Sequence, residues 1–273
     1  YFMYWILQEL MSKGWPRLSV LYINFEDVRL SVLKPTDFSV FLKVVNEEAH
    51  EYNGKILLLF DEIQNLPEWG RWVRTLLDKD RYLVILSGSS SRVRASDVAT
   101  ELRGRYIDRL VLPFSFKEFL RVRGFEQEFL EIPERHGKLL GYLRDYVLNG
   151  SLPEVVLKPE MASDLIRTYR QTIIYRDIIE RYRIRDAAFF ETFLEIIENS
   201  FGNYVSVTKL SNYFKSLGID KSKKTLSNYL RYLEESYYVI LVRKFGFSSR
   251  EVLQQPRKVY PIDTAYFKKK SIG

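Results

Sequence analysis

The sequence has 273 residues, of which 46% are hydrophobic and 15% aromatic, so it is long enough for about two domains with packed cores. It contains no cysteine, which excludes disulfides and thiolate metal sites and fits a reducing compartment. No apolar run approaches the ~18 residues of a membrane helix, and Tyr1-Phe-Met-Tyr-Trp5 lacks the basic start of a signal peptide. We therefore expect a cytoplasmic protein with no membrane partner.

The positive charge is concentrated at the C-terminal end. The chain carries a formal net charge of +7, and the segment from Lys221 onward holds 12 Lys or Arg against 4 Asp or Glu. The residues before Lys221 are therefore close to neutral. This asymmetry predicts an anionic partner for the last fifth of the chain, although a solvated face would have a similar composition.

In the first half of the chain, short apolar runs alternate with helical patterns. Helices are predicted at 1–13, 36–50 and 67–77. The apolar runs predict four strands, at 20–25, 55–61, 82–86 and 107–112. Such alternation is typical of βαβ units, so we expect an α/β fold with a parallel sheet and helices on both faces.

The stretch Lys55-Ile-Leu-Leu-Leu-Phe-Asp61-Glu62 is the most informative of these runs. Five apolar residues lead directly into two adjacent carboxylates, which predicts a strand buried on both faces. Open parallel sheets bind ligands at the carboxyl ends of their strands. The stretch therefore has the form of a Walker B strand, with Asp61 for magnesium and Glu62 to activate a water. The alternative is a buried strand followed by an acidic helix start.

From Phe116 the pattern is helical, with a long charged helix expected at 160–185. Helices are then predicted at 189–199, 207–217 and 222–235, followed by a strand at 237–244, an order that matches a winged helix-turn-helix. The third of these helices carries Lys223, Lys224 and Arg231, which suit phosphate and base-edge contacts with DNA. The alternative is a winged helix that contacts only protein.

Several motifs, in order and over nearly the whole chain, resemble the AAA-type ATPases abundant in archaea and bacteria and the uncharacterised module joined to that ATPase. The motifs are Leu58-Leu-Phe-Asp-Glu-Ile-Gln-Asn65, Trp69-Gly-Arg-Trp72, Ser87-Gly-Ser-Ser-Ser91, Leu102-Arg-Gly-Arg-Tyr106, Pro113-Phe-Ser-Phe-Lys-Glu-Phe-Leu120, Asn149-Gly-Ser-Leu-Pro-Glu-Val-Val156, Ile174-Tyr-Arg-Asp-Ile-Ile-Glu-Arg-Tyr182 and Lys258-Val-Tyr-Pro-Ile-Asp263.

The resemblance implies a division of the chain into four parts. These are a P-loop NTPase-like core at 1–115, a helical lid at 116–188, a winged helix-turn-helix at 189–245, and the start of a restriction-endonuclease-like module at 246–273. The sequence departs from the family in two respects. Beyond Lys268-Lys-Lys270 the family usually continues into a nuclease-like fold, whose acidic residues are not found here. The phosphate loop Gly-x-x-x-x-Gly-Lys-Ser/Thr is also nowhere in the sequence. We expect that loop, and the central strand that leads into it, to lie upstream of Tyr1 in the natural protein.

The resemblance also implies roles for individual residues, with ATP and Mg²⁺ as cofactors. Asp61 would hold magnesium and Glu62 would orient or deprotonate the attacking water. Ser87 and Ser89 would sense the γ-phosphate. The remaining candidates are the basic residues Arg103 and Arg105, which stand where this family places an arginine finger. An arginine finger acts on the nucleotide of a neighbouring subunit, so this role implies a homo-oligomer.

Two functions therefore remain open. One is a magnesium-dependent ATP hydrolase whose nucleotide state moves the lid and the winged helix, and the other is a DNA-binding module or nucleotide-controlled switch. A third possibility is that the winged helix docks on the core or on a partner protein. His50 and His136 lie in unrelated polar contexts and do not predict a metal site, whereas Tyr229 and Tyr232 are candidates for stacking on bases.

Overall fold

The computed structural model describes residues 2–88, 95–126, 131–246 and 255–266. It divides into two compact units, Tyr1–Arg109 and Leu110–Gly273. In the first unit the helices are α1 (Phe2–Ser12), α2 (Phe38–Glu48), α3 (Trp69–Leu77) and α4 (Ala95–Leu102), and the strands are β1 (Val20–Asn24), β2 (Ile56–Asp61) and β3 (Tyr82–Leu86).

The three strands form a parallel sheet in the order β1-β2-β3. Asn24 at the end of β1 lies opposite Asp61 at the end of β2, and Phe60 lies opposite Leu86 at the end of β3. The carboxyl ends of all three strands therefore meet at one edge of the sheet. Within the described residues β3 is paired on one side only, so it is an edge strand.

β2 is the central strand, and its side chains alternate between two apolar layers. Leu57 and Leu59 pack with Met3 of α1 on one face. Ile56, Leu58 and Phe60 pack on the other face, against residues of α2 and α3 that include Val45 and Trp72. Each of these strand residues is at most 5% exposed, and burying each apolar side chain contributes about 2 kcal/mol. The sheet therefore has helices on both faces, as the sequence predicts.

The predicted fourth strand at 107–112 is wrong. The segment has no regular secondary structure, and the side chains of Ile107 and Val111 are 83% and 73% exposed. The segment does not pair with the free edge of β3 within the described residues. Without a paired neighbour and without burial of its apolar side chains, an apolar run gains nothing from the extended conformation.

The second unit contains α-helices, one π-helix and a small antiparallel sheet. The helices are α5 (Phe116–Val122), α6 (Pro133–Asn149), α7 (Pro153–Leu157), α8 (Ala162–Thr172), α9 (Ala187–Asn199), α10 (Val207–Ser216) and α11 (Lys223–Glu235). The strands are β4 (Tyr204–Val205), β5 (Val239–Val242) and β6 (Arg257–Pro261). The long helix predicted at 160–185 is α8 continued by a π-helix at Ile173–Glu180.

One apolar core joins the π-helix to the helices and strands that follow it. Phe190 and Phe193 of α9 pack with Phe214 of α10, and Leu226 of α11 lies in the same cluster. Ser222 caps α11, because its hydroxyl accepts a hydrogen bond of 3.0 Å from the Thr225 N–H. The sheet order is β4-β6-β5, so β6, which follows the predicted domain boundary at 246, pairs with two strands that precede it.

Candidate functional site

The carboxylate of Asp61 is held by hydroxyl groups from both neighbouring strands. Tyr22 of β1 donates a hydrogen bond of 2.7 Å to Asp61 Oδ2, and Ser87, the first residue after β3, donates to Asp61 Oδ1. The backbone bonds continue the ladder, because the Ser87 N–H donates to the Phe60 carbonyl at 2.8 Å. Asp61 is therefore fixed at the carboxyl edge of the sheet, where the sequence predicts it.

Tyr22 links Asp61 to the first turn of α1. The ring of Tyr4 lies 4.7 Å from the ring of Tyr22, centroid to centroid. Burial, followed by the hydrogen bond to Asp61 and the nearby Tyr4, raises the pKa of Tyr22 well above its ordinary value. Tyr22 therefore keeps its proton at neutral pH and donates it to the carboxylate. Sequence reasoning missed this residue, since it stands 39 positions before Asp61.

Glu62 adopts a left-handed backbone conformation, with φ at 52° and ψ at 45°. This conformation is unfavourable for a residue with a side chain, and such strain is concentrated at functional sites. Two contacts hold the turn, because the Ile63 N–H donates to the Ser87 carbonyl at 3.1 Å and Gln64 Nε2 donates to the Glu62 carboxylate. Asp61 and Glu62 thus leave the strand through a sharp turn that is tied to the end of β3.

The Asp61 carboxylate has room for a hydrated magnesium ion. Each oxygen of Asp61 accepts one hydroxyl, and a carboxylate has about four acceptor positions, so Asp61 can still accept hydrogen bonds from metal-bound water. No group of three or more His, Cys, Asp or Glu that could hold a metal by direct ligation occurs among the described residues. Ser87 is at the predicted place, whereas Ser89 lies outside the described residues.

The structure does not bring Arg103 and Arg105 to Asp61. Arg105 pairs with Asp78 at 2.6 Å, just beyond the C-terminal end of α3 and close to the start of β3. That is the opposite edge of the parallel sheet from Asp61. Arg103 has a left-handed backbone with φ at 51°, is exposed, and forms no ion pair across the described ranges.

The basic residues of α11 differ in whether they contact other side chains of the protein. Lys223 and Lys224 are exposed in the first turn of the helix and form no ion pair in the part of the chain that the structure describes. Arg231 Nη1 lies 3.8 Å from Oε1 of Glu235, one helical turn further on. The Arg231 guanidinium also lies 5.2 Å from the centre of the Tyr232 ring. The two lysines are therefore the freer contacts for an anionic partner.

The prediction that Tyr229 is available for stacking is wrong. Tyr229 is 7% exposed and packs against Phe190 and Phe193 in the core. Tyr232 is already stacked on Tyr182, with 3.7 Å between the ring centres. The helical spacing of the two tyrosines reflects packing against α9 and the residues after the π-helix.

Comparison with known families covers the two ends of the chain separately. Residues 1–120 match the AAA domain family, and residues 140–269 match a domain of unknown function. The first match makes residues 1–120, a little under half of the chain, similar to AAA domains. Among the described residues, no helix is long and apolar enough to cross a membrane.

The chain is similar to curated proteins that are considerably longer. It is 31% identical to an uncharacterized protein of Methanocaldococcus jannaschii over 245 residues, covering 89% of this chain and 54% of that protein. It is 25% identical to an uncharacterized protein of Haemophilus influenzae over 255 residues, covering 93% of this chain and 62% of that protein. The chain thus spans little more than half the length of these relatives.

Among solved structures, the Aeropyrum pernix Orc1 protein in complex with DNA matches this chain with 14% sequence identity and a TM-score of 0.35. The match covers 93% of this chain and 76% of that chain. At this TM-score the similarity carries no argument about the function of the present protein.

Proposed function

We propose that the protein is a magnesium-dependent AAA-type ATPase that couples its nucleotide state to a basic winged-helix domain. The observation that carries the proposal is the joint placement of Asp61, Glu62 and Ser87 at the carboxyl edge of the parallel sheet. The hydroxyl of Ser87 and the carboxylate of Asp61 are in direct contact. A metal ion at this edge would therefore meet a carboxylate whose orientation is held by a neutral hydroxyl.

In this proposal each side chain has a separate task. Asp61 accepts hydrogen bonds from water on Mg²⁺, and Tyr22 and Ser87 keep the carboxylate oriented. Glu62 orients and deprotonates the attacking water, which Gln64 supports by holding the carboxylate in place. The bound metal supplies charge neutralisation at the phosphate oxygens.

The phosphate-binding loop is the part that this sequence does not contain. The first turn of α1 reaches the pair Tyr22–Asp61 through Tyr4, so a loop preceding α1 would lie beside Asp61. The unpaired side of β3 is the place where a strand leading into that loop would pair. Both features support the hypothesis that a nucleotide binds at this edge of the sheet.

The test is ATP hydrolysis by the protein with its full natural sequence. We expect Mg²⁺-dependent release of phosphate, and we expect Glu62→Gln to lower turnover at least about 100-fold while ATP still binds. Glu48→Gln, at an exposed position of α2, is the matched control and should retain wild-type turnover. Wild-type turnover in Glu62→Gln rejects the assignment of Glu62.

Arg103 is the better of the two arginine-finger candidates, because Arg105 is engaged by Asp78. The finger acts in trans, so it requires an assembly of at least two copies of the chain. Arg103→Ala and Glu62→Gln should each be inactive, and mixing the two should restore part of the activity. In the mixture, an intact Glu62 of one copy can meet an intact Arg103 of the next. Failure of the mixture to recover contradicts a finger in trans.

DNA binding by the second unit is the other candidate function. It is favoured by exposed Lys223 and Lys224 at the start of α11 and by the order of α9, α10, α11 and the antiparallel strands. Affinity for duplex DNA should fall steeply as the salt concentration rises. The double variant Lys223→Ala with Lys224→Ala should weaken binding by a similar factor for every DNA sequence. The matched control is Lys43→Ala with Lys117→Ala, two exposed lysines elsewhere in the chain. Equal binding by both double variants refutes the assignment.

A further inference from the structure

A cavity of about 280 Å³ lies among α10, α11 and the antiparallel sheet of the second unit. The end of β4 and the start of α10 form one wall, which includes Ser206 and Thr208. Ser227 of α11 lines a second wall, and Arg243 and Arg257 line the third. The cavity is therefore bordered by hydroxyl groups and by two guanidinium groups.

The two arginines follow directly on a paired position of the sheet. The register of β5 and β6 ends at the pair Val242–Lys258, and Arg243 and Arg257 are the next residue on each side of that pair. Like charges that lie close together repel each other unless something neutralises them. The charge of Arg243 helps burial to lower the pKa of Arg257, with burial the larger cause.

The described residues supply less negative charge than this pair requires. Glu234 lies 3.5 Å from Arg257 Nη1, at the limit of a hydrogen bond. Arg243 is exposed and forms no ion pair within the described ranges. Among the described residues, the two guanidinium groups thus have one carboxylate partner, Glu234 on Arg257, so the cavity keeps a positive charge.

The remaining walls offer uncharged donors. Ser206 caps α10 by accepting a hydrogen bond of 3.2 Å from the Lys209 N–H. The N–H groups of Val207 and Thr208, in the first turn, have no acceptor within the helix. With the hydroxyl groups of Thr208 and Ser227, they provide the hydrogen bonds that a tetrahedral oxyanion accepts between two arginines.

We propose that this cavity binds a phosphate group, held between Arg243 and Arg257 and hydrogen-bonded by the start of α10 and by Ser227. The phosphate is either free or part of a nucleic-acid backbone. Ser227 lies one helical turn after Lys223 and Lys224 on α11, so a polymer bound at the cavity would have its neighbouring phosphates near those lysines. The site does not depend on ATP hydrolysis by the first unit.

The experiment measures binding of two probes, inorganic phosphate by calorimetry and a fluorescently labelled 20-base-pair duplex by anisotropy, in low-salt buffer without phosphate. The informative variant is Arg243→Gln, which removes one charge and leaves the Arg257–Glu234 pair intact. Lys244→Gln is the matched control, because it removes the same charge from the adjacent exposed residue, which does not line the cavity.

We expect Arg243→Gln to weaken the binding of at least one probe by about tenfold or more, while Lys244→Gln changes it by less than about twofold. Loss with both probes identifies a site that takes free phosphate, and loss with the duplex alone identifies a backbone phosphate. For the duplex, the slope of log affinity against log salt should fall by about 0.9 for the lost contact.

A second variant keeps both arginines. Ser227→Asp, at an exposed position of α11, places a carboxylate where the phosphate oxygens would be, and it should reduce binding at least as much as Arg243→Gln. Circular dichroism and the melting temperature establish that each variant is folded. Equal effects of Arg243→Gln and Lys244→Gln, or no binding of either probe to the wild-type protein, overturn the proposal.

Discussion

Asp263 and Ser151, 112 residues apart, are joined by two hydrogen bonds in the interior of the second unit. The Asp263 carboxylate accepts from the Ser151 N–H at 2.8 Å and from the Ser151 hydroxyl at 2.6 Å. Its other oxygen accepts from the Ala265 N–H at 2.7 Å. The buried charge is thus satisfied by three donors, which ties the end of α6 to the turn after β6.

Gly150 is the residue that allows this approach, and its replacement is the first prediction. Its φ is +81°, and a Cβ built there would lie 2.1 Å from Asp263 Oδ1 and 2.8 Å from the Ala265 N. Gly150→Ala should therefore lower the free energy of unfolding by about 3 kcal/mol. Gly141→Ala, in α6 with no atom within 4 Å, should instead raise it by about 1 kcal/mol. Urea denaturation measures both, and equal effects would contradict the steric argument.

The second prediction concerns the buried ion pair between α8 and α9. The Glu198 side chain is 2% exposed, and its Oε1 lies 2.8 Å from Arg170 Nη2. Arg170→Met should lower the free energy of unfolding by about 3 kcal/mol, because it leaves a buried carboxylate without its cation. Adding Glu198→Gln to the same chain should recover most of that loss.

A surface pair provides the control for this experiment. Arg167 and Asp164 are 69% and 70% exposed, so Arg167→Met should cost less than about 1 kcal/mol in the same urea measurement. If the variant carrying both Arg170→Met and Glu198→Gln is less stable than Arg170→Met alone, desolvation of Glu198 is not the cause of the loss.

The third prediction is a loss of stability at alkaline pH that depends on Tyr238. Burial, followed by the adjacent charge of Glu198, raises the pKa of Tyr238 well above its ordinary value of 10.0. Below about pH 10, Tyr238 is protonated in both the folded and the unfolded protein. Above about pH 10, the tyrosine loses its proton only in the unfolded chain. The free energy of unfolding should therefore fall above pH 10 by about 1.4 kcal/mol per pH unit for this group.

Tyr238→Phe should remove that part of the slope, as measured by urea denaturation at several pH values between 9 and 11. It should also cost about 1–2 kcal/mol at pH 7, because Glu198 loses the hydroxyl that donates to it at 2.5 Å. Tyr213→Phe, at a position 50% exposed, is the control. Identical slopes in the two variants would show that Tyr238 does not cause the alkaline loss.

The fourth prediction tests the role of Tyr22 in the proposed ATPase. Tyr22→Phe removes the hydroxyl that donates to Asp61 Oδ2 at 2.7 Å and leaves the ring in place. The Mg²⁺ concentration for half-maximal hydrolysis should rise about tenfold, because a residue that orients a metal-binding carboxylate tunes metal affinity. A melting temperature close to that of the wild-type protein, and an unchanged Mg²⁺ requirement in Tyr52→Phe, separate this effect from unfolding.

Much of the first unit could be predicted from local sequence pattern. The apolar run at 56–60 is a strand buried on both faces, and the alternation of strands and helices is a parallel sheet. The Ser222 cap was equally predictable. These features depend on the spacing of apolar residues and on backbone hydrogen bonds between near neighbours, which the order of residues expresses directly.

Features that depend on distant partners could not be predicted in this way. The segment 107–112 is apolar but has no strand beside it, Tyr229 is turned into the core, and Arg105 is engaged by Asp78. The hydroxyl of Tyr22 on Asp61 and the placing of Arg243 and Arg257 beside the last paired position of β5 and β6 come from strand register. Sequence by itself determined which segments are strands and helices and where carboxylates follow a strand. Only the tertiary structure decided which side chains meet there, because pairing and burial are set by the free energy of the whole fold.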